Sequence, residues 1–125
     1  MTAMPYIAVA LGGLVGAPSR YLMDRYISSR VESDVPWGTF TINVTGAFLL
    51  GLLTGLTLVG RLDPLIKALL GTGFCGAYTT FSTFTYETVR LLEEGSVLEA
   101  LGYALVSALV GLGGAAAGLA LGLAL

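Results

Sequence analysis

The sequence contains no histidine and only one cysteine, Cys75. Without histidine there can be no Ser-His dyad, imidazole proton relay or His-ligated metal. A lone cysteine forms neither an intrachain disulfide nor a CxxC motif. Charge is also scarce. Only 14 of 125 side chains are charged, the net charge is −2, and no basic run suggests a nucleic-acid partner. There is no GxxxxGK[ST] loop to cradle nucleotide phosphates. Residues Met1 to Ala10 carry no positive side chain, so they do not read as a signal peptide and the first helix is expected to be retained.

The charges that remain are clustered. Residues 1–19, 35–60, 68–86 and 100–125 form four uncharged runs of 19, 26, 19 and 26 residues, and all 14 charges fall in the other 35 positions. A soluble surface needs about a quarter of its residues charged, whereas an apolar helix of roughly 20 residues crosses the hydrocarbon core of a bilayer. The expected fold is therefore an all-α integral membrane protein, one domain over 1–125 with transmembrane helices at about 4–26, 37–59, 65–92 and 97–125. A polar linker over 28–36 ends at Pro36-Trp37, an interfacial aromatic, and the other connections are short turns.

Glycines at 12/16, 51/55, 114/118 and 118/122 have small-xxx-small spacing, which lets helix backbones approach closely. The basic residues are almost balanced between the two membrane sides. Arg61, Lys67 and the terminal amine oppose Arg25, Arg30 and Arg90, with Arg20 at the membrane edge. So weak a bias permits insertion both ways, and two opposed copies can pair about an axis in the membrane plane, supplying between chains the inverted symmetry that larger transporters carry within one.

The third helix conflicts with its own composition. Residues 71–85 hold three glycines and five threonines, an intrinsic disadvantage on the order of 6 kcal/mol relative to alanine. Conflict of that size marks functional sites. A break is expected over 76–80, where opened carbonyls and amides must face protein, water or an ion. Beyond it Phe81 and Phe84, spaced i and i+3, project from one face, with the hydroxyls of Ser82 and Thr83 between them. Two such phenylalanines ordinarily pack a core, yet a ring edge is positive enough to rest an anion against. Asn43 lies in the second helix one turn after Thr39, where an amide serves either as interhelical glue or as a ligand. Tyr103 and Ser107 share a face of the fourth helix. Together these groups offer an amide, hydroxyls and ring edges but no mid-membrane cation, a donor set suited to weak binding and release of a small anion.

At these residues the chain resembles the small four-helix fluoride channels called Fluc or CrcB. The matching pieces are Gly12-Gly13-x-x-Gly16-Ala17-x-x-Arg20-Tyr21, Gly38-Thr39-x-x-x-Asn43-x-x-Gly46-x-Phe48-x-x-Gly51, and Gly73-Phe74-Cys75-Gly76-x-x-Thr79-Thr80-Phe81-Ser82-Thr83-Phe84 followed by Glu87-Thr88. With Tyr103 and Ser107 the likeness spans about residues 12–107. The resemblance implies a fluoride-selective channel in the inner membrane, an antiparallel dual-topology homodimer with pathways at the subunit interface. It implies a pathway lined by Asn43, Phe81, Phe84 and Ser107, with Ser82, Thr83 and Tyr103 as further contacts. Arg20 would sit in a vestibule, and Glu87 would hydrogen-bond pore hydroxyls such as Thr39. One structural Na+ would be held by backbone carbonyls of Gly76 and Thr79 from both copies. Ala77 and Ile42 depart from the common residues of the family without removing a proposed ligand. The alternative is a proton-coupled small multidrug-type transporter, which needs a membrane-centred carboxylate; the first helix has none before Asp24. A noncatalytic tetraspan scaffold would explain the glycines but not the threonine-rich segment, and an intramembrane enzyme lacks a nucleophile–base pair.

Overall fold

The computed structural model describes residues 2–125. It is all-helical. Helix α1 is Met4–Arg30 and α2 is Trp37–Leu58. Helix α3 runs over 64–78, as a turn at Pro64–Lys67, a wide-turned stretch at Ala68–Cys75 and a last α turn at Gly76–Tyr78. Helix α4 is Ser82–Glu93 and α5 is Val97–Ala124. α1 runs one turn further than expected, through Arg30, so the linker is shortened to six residues, 31–36.

Two turns share one device. After α2, Gly60 takes φ 75°, Arg61 N–H donates to Leu56 O at 2.8 Å and Gly60 N–H to Thr57 O at 3.1 Å. After α4, Gly95 takes φ 82°, with Ser96 N–H on Leu91 O at 2.9 Å and Gly95 N–H on Leu92 O at 3.1 Å. Both are Schellman caps, which need a left-handed residue that only glycine adopts freely. Asp63 then starts α3 by accepting Leu65 N–H at 2.7 Å, with Pro64 in the first turn.

The helices pair as α2 with α5 and α1 with α3. In the first pair a Cβ on Gly122 would lie 2.5 Å from Leu52 O, and one on Gly118 would strike Phe48 O. In the second pair a Cβ on Gly73 would lie 2.7 Å from Val9 O, and one on Gly12 would strike Leu69 O. The small-residue spacings read in the sequence thus mark backbone-to-backbone contacts, where dispersion is gained only while both surfaces stay bare.

Helices α2 and α5 are long and apolar enough to cross a membrane, yet only 22% and 6% of their apolar windows are buried inside the chain. A soluble core helix would be mostly covered. These faces need lipid or another protein surface, because water in contact with so much apolar area is unfavourable at roughly 25 cal/mol per Å2.

Between α3 and α4 the backbone leaves the helix. Thr79 is extended at φ −80°, ψ 161°, and the helix resumes at Ser82. Gly76, expected inside the break, is instead helical at φ −62°, ψ −36°. Tyr78 holds this last turn in place. It is buried, stacks on Phe74 at 5.4 Å and meets Thr45 Oγ1 at 3.1 Å through its hydroxyl. The wide-turned stretch was not expected from the pattern. It falls where Gly73 abuts α1, and wide turns inside α-helices concentrate near functional sites.

Candidate functional site

The non-helical residues 79–81 carry main-chain groups with no helical partner, so each must be satisfied some other way. Thr79 retains the preceding register: its N–H donates to Cys75 O at 2.9 Å and its hydroxyl to the same carbonyl at 2.8 Å. Thr80 is held by a side chain. Asn43 Nδ2 donates to Thr80 O at 2.8 Å, and Thr80 N–H donates to Asn43 Oδ1 at 2.8 Å. The Thr80 hydroxyl then accepts Thr83 N–H at 3.2 Å, a capping contact for the first turn of α4, and donates to Thr83 Oγ1 at 3.2 Å. Arg20 Nη1 makes a long contact, 3.5 Å, to Thr79 O.

Around this junction lies a groove of about 430 Å3. Its wall includes Asn43, Thr79, Thr80, Phe81, Phe84 and Ser107, so three helices and the junction contribute. The rings of Phe81 and Phe84 are 6.1 Å apart between centroids. Phe84 continues onto Tyr103 at 5.2 Å, whereas Phe81 is 78% exposed. Ser107 Oγ is buried without a hydrogen-bond partner among the described residues. A hydroxyl buried in that way costs about 1–3 kcal/mol of lost hydration, which evolution rarely leaves uncompensated without a function. The wall of the groove contains hydroxyl side chains, an amide and two aromatic rings, and no full charge lines it.

The other residues singled out in the sequence fall around the groove. Arg20, Thr39 and Thr83 line a second recess of about 210 Å3, together with Thr80 and Asp24. Glu87 lies close to the Thr39 and Tyr103 hydroxyls, but its Oε1 and the Tyr103 hydroxyl are buried without hydrogen bonds among the described residues. Tyr103 belongs to the small core of Leu91 and Ala100 and does not line the groove. Ser82 is exposed and reaches Thr80 Oγ1 at 3.5 Å. Gly76 is exposed, with nothing within 4 Å of where a Cβ would stand.

Thr80 is the residue the sequence reading underweighted. It touches both recesses and is gripped at both main-chain groups, and its signal was available as the threonine three residues before Thr83 at a helix start. Asp24, which the sequence shows only as the first carboxylate of the first helix, lines the recess with Arg20, and its carboxylate lies against Gly38.

Residues 7–119 match the CRCB family, described as CrcB-like protein, Camphor Resistance (CrcB). The chain is 51% identical to a protein of Streptomyces avermitilis named Fluoride-specific ion channel FluC 1, over 92% of this chain and 93% of that one. It is 50% identical to Fluoride-specific ion channel FluC 2 of Moorella thermoacetica, over 87% and 88% of the two chains. It is 45% identical to Fluoride-specific ion channel FluC 1 of Frankia casuarinae, over 94% and 95%.

Proposed function

The chain belongs to the CrcB family, and from that premise we propose that it conducts fluoride passively through the membrane, out of the cell, along the groove of Asn43, Phe81, Phe84 and Ser107. It is an ion channel and not an enzyme. The multidrug-transporter alternative loses its footing, since relatives matching nearly the whole chain are named for fluoride. The observation that carries the reading is the Ser107 hydroxyl, buried in the wall of a groove edged by two phenylalanine rings and without a partner among the described residues. Fluoride leaving water needs donors, and a hydroxyl, an amide hydrogen and aromatic C–H edges supply them without a fixed cation to trap it. A negative cell interior drives the anion outward by about 2.3 kcal/mol per charge per 100 mV, so no nucleotide is consumed.

In this reading the chain crosses an inner membrane in four passes, and the working unit is an antiparallel dimer of dual topology. The exposure of Phe81 and the uncovered faces of α2 and α5 support a second surface. The near balance of basic residues supports opposed insertion. Arg20, in the recess beside the groove, raises the local anion concentration, and Thr39, Thr83, Tyr103 and Glu87 form the polar flank.

A Na+ at the dimer centre belongs to the same proposal. Thr80 N–H, the donor that would close the helical bond to Gly76 O, is taken by Asn43, which releases that carbonyl. Among the described residues the Thr79 carbonyl has only the long Arg20 contact. Both are hard oxygen donors of the type such a cation requires, and two copies of the chain would provide four. When bound, the cation offsets part of the electrostatic cost of bringing anions into a low-dielectric interface.

The test is fluoride efflux from liposomes reconstituted with purified protein under a fluoride gradient, with valinomycin and K+ to balance charge. Rapid electrode-detected release is expected. Release no faster than from empty liposomes, with the protein folded and inserted, rejects the proposal.

A further inference from the structure

We propose that Asn43 is a positioning residue. By gripping both main-chain groups of Thr80 it holds the junction between α3 and α4 open, leaves the Gly76 carbonyl without its helical donor and turns the Thr79 carbonyl away from α2, where only the long Arg20 contact meets it among the described residues. The two 2.8 Å bonds go to a single residue, which is the geometry of a clamp on one stretch of main chain and differs from a bridge between side chains. Thr80 N–H belongs to the Thr79–Thr80 peptide, and in a trans peptide the N–H and C=O point opposite ways. Anchoring that N–H on α2 therefore directs Thr79 O away from α2, and the Arg20 contact from α1 lies on that oxygen. The same anchor removes the donor an uninterrupted helix would give to Gly76 O. Thr45, two residues further along α2, grips Tyr78, so α2 fixes the chain on both sides of Thr79.

Asn43 keeps one amide hydrogen and one lone pair beyond those used by Thr80, and it lines the groove. Its orientation toward a passing anion is thus set by the main chain it holds. The part of this inference that concerns ion flux rests on the fluoride reading, while the clamp itself does not.

The experiment uses the full chain, 15N-threonine labelled, as wild type, Asn43→Asp and Asn43→Ala. Asn43→Asp keeps an acceptor for Thr80 N–H and loses the donor to Thr80 O. The Thr80 amide is expected to exchange slowly in wild type and in Asn43→Asp, and at least about tenfold faster in Asn43→Ala. The same proteins in liposomes are titrated with Na+ while fluoride flux is read. Asn43→Ala is expected to raise the Na+ concentration for half-maximal flux more than it lowers the maximal flux, with Asn43→Asp in between. Free exchange of the Thr80 amide in wild type overturns the clamp. So does exchange in Asn43→Asp as fast as in Asn43→Ala, whereas a flux loss identical at every Na+ concentration overturns the positioning of the two carbonyls. If Asn43→Ala does not fold, protection in wild type and Asn43→Asp still decides the matter. Absence of flux in wild type counts against the fluoride reading alone, and the exchange arm then decides for Asn43.

Discussion

Replacing Ser107 by alanine separates conduction from stability. Ser107 Oγ is buried with no hydrogen-bond partner among the described residues, so Ser107→Ala removes no internal bond. It removes a group whose burial unpartnered costs about 1–3 kcal/mol, and alanine suits the interior of α5 better than serine by a few tenths of a kcal/mol. The folded protein should therefore be unchanged or more stable, by up to about 2 kcal/mol. Conduction should move the other way. A hydrogen bond from a neutral donor to an ion contributes about 1.5–3 kcal/mol, and its loss where the anion is least hydrated slows passage by roughly tenfold to a hundredfold. The assays are fluoride efflux from liposomes and unfolding followed by denaturant titration in detergent. Ser107→Ala with wild-type flux refutes the role of this hydroxyl. Ser107→Ala that is less stable than wild type shows that the hydroxyl had a partner and that the reasoning from its isolation was wrong.

Phe81→Ile and Phe84→Ile are each expected to lower fluoride flux at least about tenfold with dimer assembly preserved; Phe84→Ile also loses the contact with Tyr103, worth about 0.5–1.5 kcal/mol of stability. Wild-type flux in both variants removes the ring-edge argument. Gly118→Ala places a methyl against Phe48 O and should destabilise the α2–α5 pair by about 1–3 kcal/mol, read as a lower unfolding midpoint; an unchanged midpoint contradicts the close approach. Arg20→Gln should cut flux more at low than at high ionic strength, because a vestibule charge is screened beyond a Debye length of about 10 Å at 0.1 M salt; a salt-independent loss assigns Arg20 to its contact with Thr79 O. Cysteine crosslinking at the groove rim should capture opposed copies, and exclusively parallel pairs contradict the antiparallel dimer.

Gly60 ends α2 where an uncharged run gives way to Arg61, whereas Gly95 ends α4 inside the charged segment 87–99, so the charge pattern marks the first of these helix ends and not the second. The small-residue spacings likewise foretold which surfaces touch, since only a missing Cβ permits carbonyl-to-Cα approach such as that of Gly55 and Gly122. Composition located the troubled stretch of the third helix but not the residue at which it leaves helical geometry. That depended on two long-range contacts, Tyr78 with Thr45 and Thr80 with Asn43; the first keeps Gly76–Tyr78 helical and the second prevents Thr80 from continuing it. Asn43 was legible as a polar group at depth, but its partner was not, because pairing across 37 positions leaves no periodic trace. Tyr103 and Ser107 sit one turn apart, yet one faces the core with Leu91 and the other the groove, a difference of rotation that spacing alone does not resolve.

The most direct measurement is efflux of fluoride and chloride, side by side, from liposomes holding purified protein under equal gradients. Rapid fluoride release with chloride retained is the predicted result. Equal release of both ions, or of neither, contradicts it.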